Sequence, residues 1–350
     1  MATEPSVWVV VLNWNGLADT LVCLASLRRL RYTGTRVVVV DNGSTDGSVA
    51  AIRRDPANDG VQIVEANSNL GYAGGNNLGI RHALDQGAEF VLVLNNDTTV
   101  DPMLLDQLLA AANRQPDAGC FGPWIYYMHD QERLWFTRSD WDSAKSAFTA
   151  PGKGCLASEL SSAPAATDYV CGAALFFRAA VVRQIGLLDE RFFLVYEDND
   201  WCFRARRAGF GCVSVASARV WHKVGTSFGT EASPLRTYFS TRNKLLWAEK
   251  NASRQEWWSI LRAALRRIQP GLTVDRDVEG PMHKALFWAI RGFAREWARK
   301  VHDPQEVAHR RGVLDYIFRR FGDCPHQIRA LAKGWASVQD ETAHASGLER

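Results

Sequence analysis

Short β-branched runs alternate with longer helical stretches through the first hundred residues, and this alternation constrains the fold more than any other feature. Trp8 to Leu12 reads as a buried strand, Leu17 to Leu30 as an amphipathic helix, and Val37 to Val40 as a second strand. A helix from about Asp46 to Arg54, a strand at Val61 to Glu65, a helix from about Ala73 to Gln86 and a strand at Phe90 to Leu94 follow. Strands separated by helices of this length imply right-handed crossovers, and hence a mainly parallel sheet covered on both faces. The expected class is α/β, with a Rossmann-like central sheet.

The second half is organised differently. Residues 128–167 scatter Gly, Ser, Ala and Pro and read as a long loop or a hairpin insertion, of the kind that forms lids or binding segments. From roughly Arg236 the pattern is helical to the end. Within it Leu286, Phe287, Ile290, Phe293 and Trp297 form one apolar stripe, with Arg291, Arg295 and Arg299 away from it. That stripe either packs on a neighbouring domain or lies in a membrane interface. Residues 250–350 hold 18 Lys and Arg against 12 Asp and Glu, an imbalance suited either to an anionic partner or to a solvated helical face. The seven cysteines form no close pair and are odd in number, which fits reduced thiols rather than a secreted disulfide framework. The first residues show no basic leader, and no run reaches the roughly 20 apolar residues that span a bilayer. A cytoplasmic chain, peripheral at the inner membrane face, is expected.

In an open sheet of this kind ligands sit beyond the carboxyl ends of the strands. Here those ends carry Asn13, Asp41, Asn67 to Asn69 and Asn95 to Asp97. Tight turns also favour Asn, Asp and Gly, so the signal lies in all four ends being polar together. Asp97 follows an apolar strand, where a carboxylate can reach a hard divalent ion such as Mg²⁺ or Mn²⁺ alongside substrate phosphates. The turn from Asn69 to Asn77 is glycine-rich and enters a helix, so a nucleotide can approach its backbone. Its spacing matches neither the dinucleotide fingerprint nor the phosphate-binding loop ending in Gly-Lys-Ser/Thr, which disfavours a dehydrogenase or a nucleoside triphosphatase.

Glu197, Asp198 and Asp200 stand just ahead of a helix carrying Arg204, Arg206 and Arg207. The helix dipole favours one such carboxylate; the surplus has the chemistry of a general base. His222, placed after a strand-like Gly211 to Val215, is either structural or a ligand through its neutral imidazole.

These pieces in this order, VVLNWNG at 10–16, VVDNGSTDGS at 39–48, NSNLGYAGGNN at 67–77, LNNDT at 94–98 and YEDNDWCFRARRAGF at 196–210, resemble the family 2 glycosyltransferases. Within that family they look most like the rhamnosyltransferase and galactofuranosyltransferase branch. The resemblance covers roughly residues 6–250 and implies a GT-A fold, a nucleotide-sugar-binding half over about 1–125 and an acceptor-binding half over about 126–250; the helical pattern beyond them marks 251–350 as a region for membrane association or oligomerisation. It implies an inverting, metal-dependent transfer from a nucleotide-diphosphate sugar to a saccharide or lipid-linked acceptor, with no nucleic-acid partner. The donor it points to first is dTDP-L-rhamnose; a UDP-hexose, UDP-galactofuranose or a non-catalytic sugar-nucleotide binding protein are the alternatives.

Carried over residue by residue, the resemblance makes Asp97 and His222 the metal ligands, since Asn95-Asn96-Asp97 keeps only the last Asp of the family's D-x-D motif. Asp198 becomes the general base, with Glu197 and Asp200 positioning acceptor or base. Asn13, Asn15, Asp41, Asn69, Gly71, Asn76, Asn95 and Asn96 map to the donor. Arg242, in Tyr238-Phe239-Ser240-Thr241-Arg242-Asn243, stands where the family has a Tyr-Tyr-x-x-Arg-Asn motif and suits a phosphate contact.

Overall fold

The computed structural model describes residues 4–224, 233–268 and 302–334. The chain divides into two compact units, Met1–Thr226 and Ser227–Arg350.

The first unit opens as the alternation predicts. Strand β1 (Val7–Asn13) leads to helix α1 (Leu17–Leu27), β2 (Thr35–Asp41) to α2 (Ser48–Arg54), β3 (Gln62–Glu65) to α3 (Gly71–Asp85), and then to β4 (Phe90–Asn95). These four strands are parallel, in the order β3-β2-β1-β4. The period of two sorts their side chains. Val7, Val9, Val11, Leu92 and Leu94 enter the core under α1, while Trp8, Val10, Val38, Val40, Val91 and Val93 enter the one under α3.

Beyond β4 the sheet is mixed, which corrects the expectation of a mainly parallel one. The short β5 (Thr98–Val100), α4 (Leu104–Arg114) and the long β6 (Ala118–Tyr127) follow. Residues 128–173 then contain β7 (Leu134–Phe136), a small hairpin of β8 (Trp141–Asp142) and β9 (Ala147–Phe148), and β10 (Ala165–Thr167). No α-helix lies in that connection. A parallel neighbour needs a long crossover, usually helical, and β11 (Ala174–Arg178) instead lies antiparallel between β4 and β6. After α5 (Ala179–Ile185) and α6 (Glu197–Arg207), β12 (Gly211–His222) runs parallel to β6 and antiparallel to β5. His222 is thus the last residue of a twelve-residue strand, longer than the run Gly211 to Val215 suggested. The cysteines are free, and all but Cys155 are buried.

The second unit is helical: α7 (Pro234–Asn251), α8 (Arg254–Ile268) and α9 (Pro304–Ile317), with further helical residues at 326–334. Proline in the first turn and a Ser233 or Asp303 side chain capping it start α7 and α9. The apolar stripe at 286–297 lies outside the described residues. Among the described residues no helix is long and apolar enough to cross a membrane.

Candidate active site

The carboxyl ends of β1, β2 and the β3–α3 loop are stitched together by short polar side chains. Asn13 donates to Asp41 Oδ1 (2.9 Å) and Ser44 Oγ (3.1 Å), and its Oδ1 accepts from Gly16 N–H and Thr20 Oγ. Both donors and both acceptor positions of that amide are therefore occupied. The Asn13 side chain braces the ends of β1 and β2. Asp41 accepts in addition from Ser44 N–H. Asn15, at φ 51°, accepts from Thr45 N–H. Asn69 accepts from Gly71 N–H and Asn42 Nδ2. Asn96 is turned back, donating to Thr20 Oγ and Gly16 O. Ser44, Asn42 and Thr20, which sequence reasoning passed over, complete this lattice. Their signal was a dense run of Asn, Ser, Asp and Thr beside three strand ends.

The β5–β12 pairing brings two distant residues into contact. Thr98 pairs with His222, and Lys223 N–H donates to the Asp97 carbonyl. The side chains meet with His222 Nε2 at 3.1 Å from Asp97 Oδ1, both buried. Adjacent ligands of an octahedral ion with bonds near 2.1 Å lie about 3 Å apart, so these two atoms have the spacing to share one divalent cation. The outer-shell acceptor that usually orients a ligating imidazole is missing for His222 Nδ1, which has no hydrogen-bond partner among the described residues. The edge-on ring of Trp135 at 4.7 Å holds the imidazole instead. Asn95 borders the same strand end, its N–H donating to Ala173 O and its carbonyl accepting from Thr98 Oγ.

The carboxylates of α6 face different ways. A strained approach delivers them: Phe193, Val195 and Tyr196 all have positive φ (63°, 70° and 79°), a conformation costing on the order of 1–3 kcal/mol each and concentrated at functional sites. Asp198 accepts from Gly172 N–H at 2.7 Å and from Asn199 N–H at 2.8 Å. Burial pushes its carboxyl up to about 6, against those two donors, which favour the charged form. Glu197 is buried, its Oε2 has no hydrogen-bond partner among the described residues, and burial followed by the charge of Asp198 raises it well above the ordinary carboxylate range. Asp200, two residues on, lies across the helix. It is fully buried and ion-paired with Arg204 (2.9 Å), whose other nitrogens donate to Ile185 O and Leu187 O. Asp200 therefore anchors the turn after α5 through Arg204.

Segment 171–173 links the two groups. It bonds Asn95 through Ala173 O and Asp198 through Gly172 N–H. The Tyr72 hydroxyl beside it feels the charges of Glu197, Asp198 and Asp97, which with burial raise it well above its ordinary value. Gly71, at φ 74°, admits Phe193 where a Cβ would sit 2.5 Å from that ring. Asn76 donates to Tyr72 O, and its buried Oδ1 has no hydrogen-bond partner among the described residues. Arg242 lies on α7. It is fully buried within the helical unit, bonded to Gly322 O, Asn243 Oδ1 and Tyr238 Oη and packed on Tyr238, Phe239 and Phe321. Its guanidinium ties α7 to the Gly322 carbonyl and leans on three aromatic rings.

The site thus joins two carboxylate groups, Asp97 beside His222 and the Glu197–Asp198 pair, through the segment at 171–173. The family model for glycosyl transferase family 2 matches residues 8–184. The N-acetylglucosaminyl-diphospho-decaprenol L-rhamnosyltransferase of Mycobacterium tuberculosis is 30% identical over 261 residues, covering 69% of this chain and 82% of that protein. The dTDP-rhamnosyl transferase RfbF of Shigella flexneri is 22% identical, over 70% of this chain and 81% of its own. The chain belongs to glycosyl transferase family 2 and is an inverting glycosyltransferase of its rhamnosyltransferase-like branch. Two solved structures share the GT-A-like fold. A mannosyltransferase from Pyrobaculum calidifontis, in complex with GDP-Man and Mn²⁺, superposes with a TM-score of 0.54 at 14% identity, over 91% of this chain and 89% of its own. GalNAc-T7, with UDP, GalNAc and Mn²⁺, gives 0.59 at 13%, over 86% and 58%.

Proposed function

We propose that this enzyme transfers L-rhamnose from dTDP-rhamnose to a lipid-linked N-acetylglucosaminyl diphosphate, with Asp198 as general base and with Asp97 and His222 holding a Mg²⁺ or Mn²⁺ ion. The donor and acceptor rest on the two rhamnosyltransferase relatives. The site rests on one observation above the others, the 3.1 Å approach of His222 to Asp97 at the strand ends that also carry the path to Asp198.

In the proposed reaction the Asp198 carboxylate takes the proton of an acceptor hydroxyl. The oxygen so activated attacks the anomeric carbon while the bond to the nucleoside diphosphate breaks in line, inverting the centre. A carboxyl near 6 is mostly ionised at neutral pH yet more basic than an ordinary aspartate, a match that makes general-base help worth about 10² to 10⁴-fold. When bound, a divalent cation supplies charge neutralisation for the departing diphosphate. Asn76 and Glu197, each with a buried oxygen that has no hydrogen-bond partner among the described residues, are assigned to donor and acceptor hydroxyls respectively. Backbone groups around Asn15, Asn69, Gly71 and Asn95 are assigned to the nucleotide.

A lipid-linked acceptor puts the enzyme at a membrane surface, and the cationic excess over residues 250–350 is assigned to that contact. Flotation with anionic liposomes tests it, and partitioning equal to that with neutral liposomes would refute it. Metal-dependent turnover of a panel of dTDP-, UDP- and GDP-sugars tests the donor: preference for dTDP-rhamnose is expected, and preference for a UDP-hexose would overturn that part.

A further inference from the structure

Tyr72, in the middle of the glycine-rich turn, lies beside segment 171–173 and has so far been given no role. Its hydroxyl donates to the carbonyl of Gly172 at 2.5 Å, a contact joining residues a hundred positions apart. The same Gly172 donates its N–H to Asp198 Oδ2 at 2.7 Å. A Cβ at position 172 would stand 2.9 Å from Tyr72 Oη and 3.2 Å from Asp198 Oδ2, so only glycine lets phenol and carboxylate close on the same residue from two sides.

We infer that Tyr72 is a positioning residue for the base: by holding the Gly172 carbonyl it fixes the neighbouring N–H that aims and charges Asp198. This rests on the reading of Asp198 as general base. The helix offers a second anchor one turn further on, where Val170 N–H donates to Cys202 Sγ at 3.5 Å. Residues 198 and 202 share a helix face, so the segment from 170 to 172 is tied to that face twice, and Tyr72 braces the end nearer the base. Without the hydroxyl, Gly172 loses a partner for its carbonyl inside a partly buried site, and its flanking peptides are free to turn. The titratable groups that face Asp198 are Tyr196, Glu197 and Cys202 from α6 and its cap, Tyr72 from α3, and Tyr169 and Cys171 from the segment before β11. Because several are themselves acidic, a freed Asp198 has a backbone N–H rather than a cation to lose.

Tyr72→Phe keeps the ring and removes only the bond. Hydrogen–deuterium exchange on the free enzyme needs no substrate. Amides over residues 170–174 are expected to exchange about tenfold faster in the variant, with α1 and the β1–β4 strands unchanged. With dTDP-rhamnose, Mn²⁺ and a synthetic N-acetylglucosaminyl diphosphate lipid, kcat should fall about 10- to 100-fold, KM for donor should hold, and the acid limb of the rate profile should move up by roughly half to one pH unit. Gly172→Ala should reproduce both effects, and it carries the test should Tyr72→Phe fold poorly. Unchanged exchange at 170–174, or an unmoved acid limb in a protein that Asp198→Asn inactivates, overturns the inference. If instead Asp198→Asn stays active, the base assignment fails, while the exchange result still decides whether Tyr72 holds Gly172.

Discussion

Asp198→Asn should make the protein more stable as it makes it inactive. In the folded chain the Asp198 carboxyl is pushed from an ordinary 3.8 to about 6, so its ionised form is disfavoured by folding. At about 1.4 kcal/mol per tenfold this is worth at most about 3 kcal/mol, and partial exposure discounts it to on the order of 1–2 kcal/mol. The folded state binds the proton more tightly than the unfolded chain between about 4 and 6, so the carboxyl's stabilising contribution is present at low pH and is lost as pH rises through about 6. Asparagine carries no charge to bury, and its carbonyl oxygen can still accept from Gly172. Urea unfolding midpoints at pH 7.5 should therefore favour the variant by that margin, and the gap should close toward pH 4.5. Turnover should meanwhile drop by at least about 10²-fold, while the wild-type rate falls about tenfold per pH unit below 6. A variant no more stable than wild type at pH 7.5, or a gap that does not change with pH, would refute the electrostatic account of the base.

His222→Ala should abolish the strengthening of dTDP binding by Mn²⁺, a loss of at least about tenfold in titration calorimetry, while metal-free binding holds; equal Mn²⁺ enhancement in both proteins would count against the pair. Gly71→Ala forces a Cβ to 2.5 Å from Phe193 at a positive φ, and chemical denaturation should report a loss of about 2–4 kcal/mol. Arg242→Ala strips partners from Gly322 O and Asn243 and should cost about 2–4 kcal/mol, leaving dTDP affinity as it was; a weakened affinity in a fully folded variant would point to a phosphate contact instead.

The parallel half of the sheet was legible because a parallel strand must be buried on both faces, and Val7 to Val11 and Phe90 to Leu94 show it as continuous apolar runs. The antiparallel insertion of β11 was not, since Ala174 to Phe177 is equally apolar and its direction is set by a helix-free connection rather than by its own residues. Asp97 and His222 were paired by the family resemblance, and the pairing of β5 with β12 puts their side chains in contact. For Asp200 and Arg242 composition marks a charge but not its partner: Asp200 pairs with Arg204 and Arg242 bonds the Gly322 carbonyl, both in the protein interior. Tyr72 escaped notice because its partner is a backbone carbonyl a hundred residues away, which leaves no side-chain pattern to find.

One experiment bears most directly on the assignment of base, cation and donor together. Wild-type enzyme and the Asp198→Asn variant are incubated with dTDP-L-rhamnose and the N-acetylglucosaminyl diphosphate lipid, with Mn²⁺ or with EDTA, and the product is read by NMR. The account predicts a rhamnoside of anomeric configuration opposite to the donor's, formed only by the wild type and only with metal. A product that retains the donor's configuration, or one formed at a similar rate by the variant or in EDTA, would contradict it.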